Sequence, residues 1–171
     1  MYGEDGTPLH SWRVLLLPYI EQDELYKQFK LGEPWDSPHN IRLLERMPRQ
    51  YAPPWREYEY PPHHTVCHVF VGKGTPFERD GLRSADFPDG ASNTFLVVEA
   101  GDPVPWTKPD ELVYDPNKPL PRLGGHFRQG TNAALADGSV VPLHIGNGLS
   151  ERTLRYAIDP NDGMPLGPDW P

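Results

Sequence analysis

A single cysteine, Cys67, stands among 171 residues, which excludes an intrachain disulfide framework and a four-cysteine zinc site. No apolar run exceeds the four residues Val14 to Leu17, far short of the roughly 20 that a membrane-spanning helix needs. Basic residues are few beside acidic ones, 16 against 24, for a net charge of −8. That balance argues against nucleic acid as a partner, because phosphate attraction needs clustered Lys and Arg. The richest basic stretch, Arg42 to Arg49, is itself interrupted by Glu45. Collagen and coiled-coil architectures fall away as well, since neither a Gly-X-Y period nor a sustained heptad occurs.

What is present suits a loop-rich globular protein. The length fits one domain, or one domain plus a tail. Leu, Ile, Val and Phe number 38, enough for a modest core. Proline (22) and glycine (16) are abundant, so helices are short and loops long.

The clearest helical signal covers 11–30. Trp12, Leu15, Leu16, Tyr19 and Ile20 follow the spacing of one buried helix face, and Ser11 is placed to cap it. Pro18 breaks the pattern into two short helices, the second capped near Asp23. Ser37-Pro38 starts another helix with Ile41, Leu44 and Met47 facing inward, ended by Pro48. Residues 48–64 read as an extended proline and aromatic arm. Thr65 to Val71 and Thr94 to Ala100 read as strands, the second apolar enough to be central. A second proline-rich loop fills 101–125. Asp137-Gly138, between two apolar segments, is a strong hairpin signal. Ser150 caps a last helix with Leu154, Ala157 and Ile158 inward and a Leu149–Leu154 staple, stopped by Asp159-Pro160. Helices first, strands later and one closing helix predict an α+β fold, an antiparallel sheet with short helices on one side. The predicted domain covers 1–158, with an irregular tail over 159–171.

Five segments stand out together: SWRVLLLPYIEQ (11–22), EPWDSPHN (33–40), DGASNT (89–94), VEAGDPVPWTKPDEL (98–112) and LGGHFRQGTNAALADGSV (123–140). In order and spacing they resemble a large bacterial family of prepilin-like secreted proteins of unknown function, also filed as solute-binding. The likeness spans about 10–158. It implies a pilin-like globular domain outside the cytoplasm, and it makes Asp89, Gly90, His126, Asp137 and Gly138 structural motif residues. The family typically carries an upstream prepilin helix, which this sequence lacks, and nine residues between its His and Asp-Gly, where this sequence has ten between His126 and Asp137. Without that helix, assembly is expected to use loops or strand edges, with the 48–64 arm as the candidate.

Candidate chemistry is thin. His63, His64 and His68 lie near Cys67, but on a strand His64 and His68 would stand about 13 Å apart, too far to share one zinc. No metal site is expected there. Ser92 lacks a nucleophile elbow, and Asp89-Gly90 reads as a turn. Glu99, Asp102, Asp110 and Glu111 are the nearest thing to paired catalytic carboxylates. Glu99, on an apolar strand, calls for a partner such as Lys108 or an arginine. The same acids raise Ca²⁺ as a cofactor. Trp35, Trp55 and Trp106 sit in proline-rigid loops. Each either closes its loop onto the protein or offers a platform for a partner or sugar.

The leading expectation is a non-enzymatic domain making protein–protein contacts, by self-association or with other envelope proteins. The alternative is a module binding a small solute or carbohydrate through Trp35, Trp55 and Trp106, with Glu99 and Asp102 nearby.

Overall fold

A computed structural model describes residues 2–3, 6–53, 60–78, 81–124, 130–145 and 148–171. The fold is α+β. Its strands are β1 (His64–His68), β2 (Phe70–Val71), β3 (Phe95–Pro105), β4 (Leu112–Val113), β5 (Thr131–Leu135) and β6 (Val140–Leu143), and its α-helices are α1 (Trp12–Leu15), α2 (Asp23–Tyr26) and α3 (Glu151–Ile158). Four strands form one sheet in the order β1-β3-β5-β6, and β2 pairs with β4 in a separate two-stranded sheet. The apolar β3 is internal to its sheet, as its composition predicts. Sequence reasoning treats 1–158 as one domain; the contacts group into two compact units, one of residues 1–66 with 102–110, the other of 67–101 with 111–171.

In the first unit the predicted 3.6-residue face does not survive Pro18. Helix α1 lasts four residues and gives way to a 3-10 turn, Leu17–Ile20, with Pro18 at its start and Glu21 left-handed at φ 62°. A tighter turn rotates the side chains, so Val14 and Leu17 are fully buried while Tyr19 is 83% exposed. Ser11 caps as predicted, accepting from the Arg13 N–H. Asp23 does not cap: it is the first helical residue of α2, after Gln22. The helix predicted after Ser37-Pro38 is a 3-10 segment, Asn40–Arg46, which buries Leu43 and leaves Ile41 exposed.

In the second unit the local signals hold. The Leu135 N–H donates to Ser139 O, which closes the β5–β6 hairpin around Asp137-Gly138, with Gly138 at φ 86°. The Asp137 carboxylate accepts from the Ser139 N–H at 2.9 Å and the Ser139 hydroxyl at 2.6 Å. These bonds hold it below the usual carboxylate range. Ser150 caps α3, accepting from the Thr153 N–H, and Leu154, Ala157 and Ile158 are buried against Phe95, Val98, Ala133, Leu135 and Leu143. The strand predicted over Thr65 to Val71 is interrupted at Val69, which separates β1 from β2.

The 159–171 segment has no regular secondary structure, yet it is pinned along its length. The Asp89 N–H donates to Pro160 O, and the Asp89 carboxylate accepts from the Gly163 N–H at 3.0 Å. Trp170 packs on Phe95 with ring centroids 5.6 Å apart. Asp169 reaches the start of α3, accepting from the Thr153 hydroxyl and the Ser150 N–H, each at 2.6 Å. Those bonds hold its carboxyl at about 2. Because this folded value lies below the ordinary carboxyl value of about 3.9, the carboxylate stabilises the fold above that pH. Its contribution fades as pH falls from about 4 toward 2. Comparing urea midpoints of the wild type and Asp169→Asn across this range checks it: the two separate at neutral pH and converge in acid.

Candidate functional site

The sequence-predicted site residues do not assemble into one site. Trp106 is fully buried in the first unit. Its indole N–H donates to Leu44 O at 2.9 Å, its ring stacks on Tyr51 at 5.9 Å and 21°, and Phe29 meets it edge-on at 5.8 Å. A side chain with no accessible surface is no platform for a ligand, so Trp106 is corrected from a candidate contact to a core residue. Trp35 is half-buried and Asp102 exposed. Trp55 and His126 lie outside the described residues, as does part of the 48–64 arm. Lys108 is tied to Asp110 at 2.6 Å.

Glu99, half-buried on β3, is matched by Asn132 instead of a cation. One carboxylate oxygen accepts from the Asn132 N–H at 3.0 Å and from its side-chain amide at 2.9 Å. Asp89 and Gly90 form the expected turn: Gly90 has φ 105°, its N–H donates to Phe87 O, and the Asn93 amide donates to Asp89 O at 2.7 Å. The His64 ring is engaged with Pro62 O at 2.8 Å. Among the described residues, no group of three or more His, Cys, Asp or Glu side chains is placed to hold a metal ion.

Sequence reasoning passed over Asn40, the last residue of EPWDSPHN, which is fully buried. Its side chain accepts from the Lys30 N–H at 3.0 Å and donates to Pro34 O at 2.9 Å, while its own N–H reaches the Ser37 hydroxyl at 3.1 Å. It fixes the loop that carries Trp35. His10, also fully buried, is pushed down by burial.

Two open surfaces stand out among the described residues. On the first unit, Leu16 (36% exposed) and Tyr19 (83%) are joined by the Tyr19 N–H donating to Leu16 O at 2.9 Å. Three residues apart on a 3-10 turn, they point the same way. Pro18 and the left-handed Glu21 hold this apolar pair rigidly outward. On the second unit, a cleft of about 1020 Å³ runs beside β4. Glu78, Asp86, Asp115 and Asp159 line it along with Lys73 and Lys118. Close by, burial and the neighbouring Asp159 and Asp89 carboxylates raise the Asp162 carboxyl.

No helix among the described residues is long and apolar enough to cross a membrane. Residues 2–62 match the model of a family described as Protein of unknown function (DUF1559). That stretch contains both SWRVLLLPYIEQ and EPWDSPHN. No curated protein and no solved structure matches the chain.

Proposed function

We propose that this chain is a non-enzymatic, pilin-like domain that works outside the cytoplasm through protein–protein contacts in a surface or filament-type assembly. The observation that carries the reading is the Leu16–Tyr19 turn: a tyrosine 83% exposed beside a leucine, on a backbone stiffened by proline. A rigid aromatic loses little entropy on binding and supplies a large contact area. The turn lies in SWRVLLLPYIEQ, one of the segments that carry the resemblance to prepilin-like proteins. The alternative, solute binding on tryptophan loops, has lost Trp106 to the core of the first unit.

Light scattering over a range of protein concentrations tests this directly. The expected mass rises with concentration for the wild type and stays near the 19.4 kDa monomer for the double variant Leu16→Ser, Tyr19→Ser, with unchanged circular dichroism. A wild-type mass constant at the monomer value overturns self-assembly. Equal association by the double variant overturns the role of this turn.

A further inference from the structure

We propose that the free edge of β4, with the cleft beside it, docks an extended basic peptide segment as an added strand. Main-chain bonds tie β4 to the neighbouring segment, among them the Leu112 N–H donating to Val69 O at 3.1 Å and the Tyr114 N–H to Val71 O at 2.8 Å. The register pairs Phe70 with Leu112 and Val71 with Val113 in parallel. Along a strand the main-chain groups of successive residues point to alternate sides. Val113, between the two donors, therefore turns its N–H and C=O away from β2, and among the described residues no hydrogen bond joins them to another segment. Its side chain is 71% exposed, and it lines the cleft.

The edge is held firmly by what lies behind it. Phe70 and Tyr114 are buried and meet edge-on at 6.4 Å. Gly72, at φ 123°, lets β2 run so close to β4 that any Cβ there would collide with Tyr114 O. An open strand edge beside a groove is the geometry for strand addition, in which main-chain bonds supply affinity and the groove supplies selectivity.

The groove states its preference by charge. Among the described residues that line it, four carboxylates, those of Glu78, Asp86, Asp115 and Asp159, accompany two ammonium groups, and Lys118 is already engaged by Asp115 at 3.3 Å. An incoming strand carrying Lys or Arg is favoured here over one carrying Asp or Glu.

The outer edge of β6 shows the contrast. The Leu135–Ser139 bond and the register Ala133↔Val141, Thr131↔Leu143 place the main chains of Val140 and Pro142 outward. Proline has no N–H to offer there, and its ring obstructs a neighbour. One edge is closed by sequence and the other is open.

The test uses the full chain and three labelled peptides read by fluorescence anisotropy. One alternates Lys and Val, one alternates Glu and Val, and one is the Lys–Val peptide N-methylated at alternate residues. Saturable binding of the first is expected, with slowed exchange of the Val113 amide. The other two should bind at least about tenfold more weakly, the scale of a lost main-chain bond or charge contact. Val113→Pro should lose binding by a similar factor. Asp159→Asn, which keeps a hydrogen-bond acceptor for the Asn161 N–H, should weaken binding and reduce its salt dependence without touching β4. Equal affinity for the N-methylated peptide, a Val113 amide unmoved by bound peptide, or no saturable binding of the Lys–Val peptide overturns the proposal. None of these results bears on self-association through Tyr19.

Discussion

Trp106→Ala should destabilise the first unit by about 3–5 kcal/mol, the range for removing a fully buried tryptophan. The loss has two separate sources. The indole fills the space between Tyr51, stacked at 5.9 Å, and Phe29, edge-on at 5.8 Å. Its N–H satisfies Leu44 O. Its own main-chain N–H binds His63 O at 3.1 Å, a bond the variant keeps but on a less constrained segment. Trp106→Phe retains most of the apolar contact and deletes the indole donor, so about 1–2 kcal/mol is expected from a partly buried carbonyl left without that donor and from imperfect filling. Urea unfolding followed by near-ultraviolet circular dichroism measures both. A ligand platform would behave oppositely, with stability unchanged and binding lost; an alanine variant as stable as the wild type would sink the core assignment.

What was legible in the sequence was local. The cap and stop of α3 lie within a dozen residues, and the hairpin is written in Asp137-Gly138 and its flanks; both formed where predicted. The central place of β3 follows from its apolar run. The helical face of 11–20 was misread because a period of 3.6 was assumed across a proline that enforces a 3-10 turn, exchanging Leu16 and Tyr19 for Val14 and Leu17.

The tryptophans show the other limit. Trp35, Trp55 and Trp106 each follow a proline, and that shared neighbour does not tell a buried ring from an open one. Trp106 is buried because Phe29, Leu44 and Tyr51, more than fifty positions away, converge on it. Asp169 and Trp170 were invisible for the same reason. An acid and an aromatic in a proline-rich tail carry no sign that they meet the start of α3 and Phe95.

Glu99 is the candidate catalytic group that the structure turns into a clip, and its removal should cost on the order of 3 kcal/mol. The β3–β5 ladder is irregular: Phe95 pairs with Leu135, yet Val97 pairs with Ala134 and Val98 with Ala133, so β3 carries an extra residue. Beyond that bulge, the Glu99 carboxylate takes the Asn132 main-chain N–H and the Asn132 side-chain amide, while Glu99 O is taken by the Thr131 hydroxyl. A side chain thus completes a ladder that the main chain leaves open. Glu99→Ala removes two charge-assisted bonds and leaves a half-buried N–H without its acceptor. Glu99→Gln keeps one carbonyl oxygen for the same donors, so it should retain more than half of the lost stability. Hydrogen exchange supplies the site-specific reading. The Asn132 amide should exchange much faster in Glu99→Ala than in Glu99→Gln, while the Leu135 amide, held by Ser139 O at 2.9 Å, should respond less. Equal stability of the wild type and the alanine variant would mean that the ladder closes without the carboxylate, and would return Glu99 to the pool of residues free to act on a ligand.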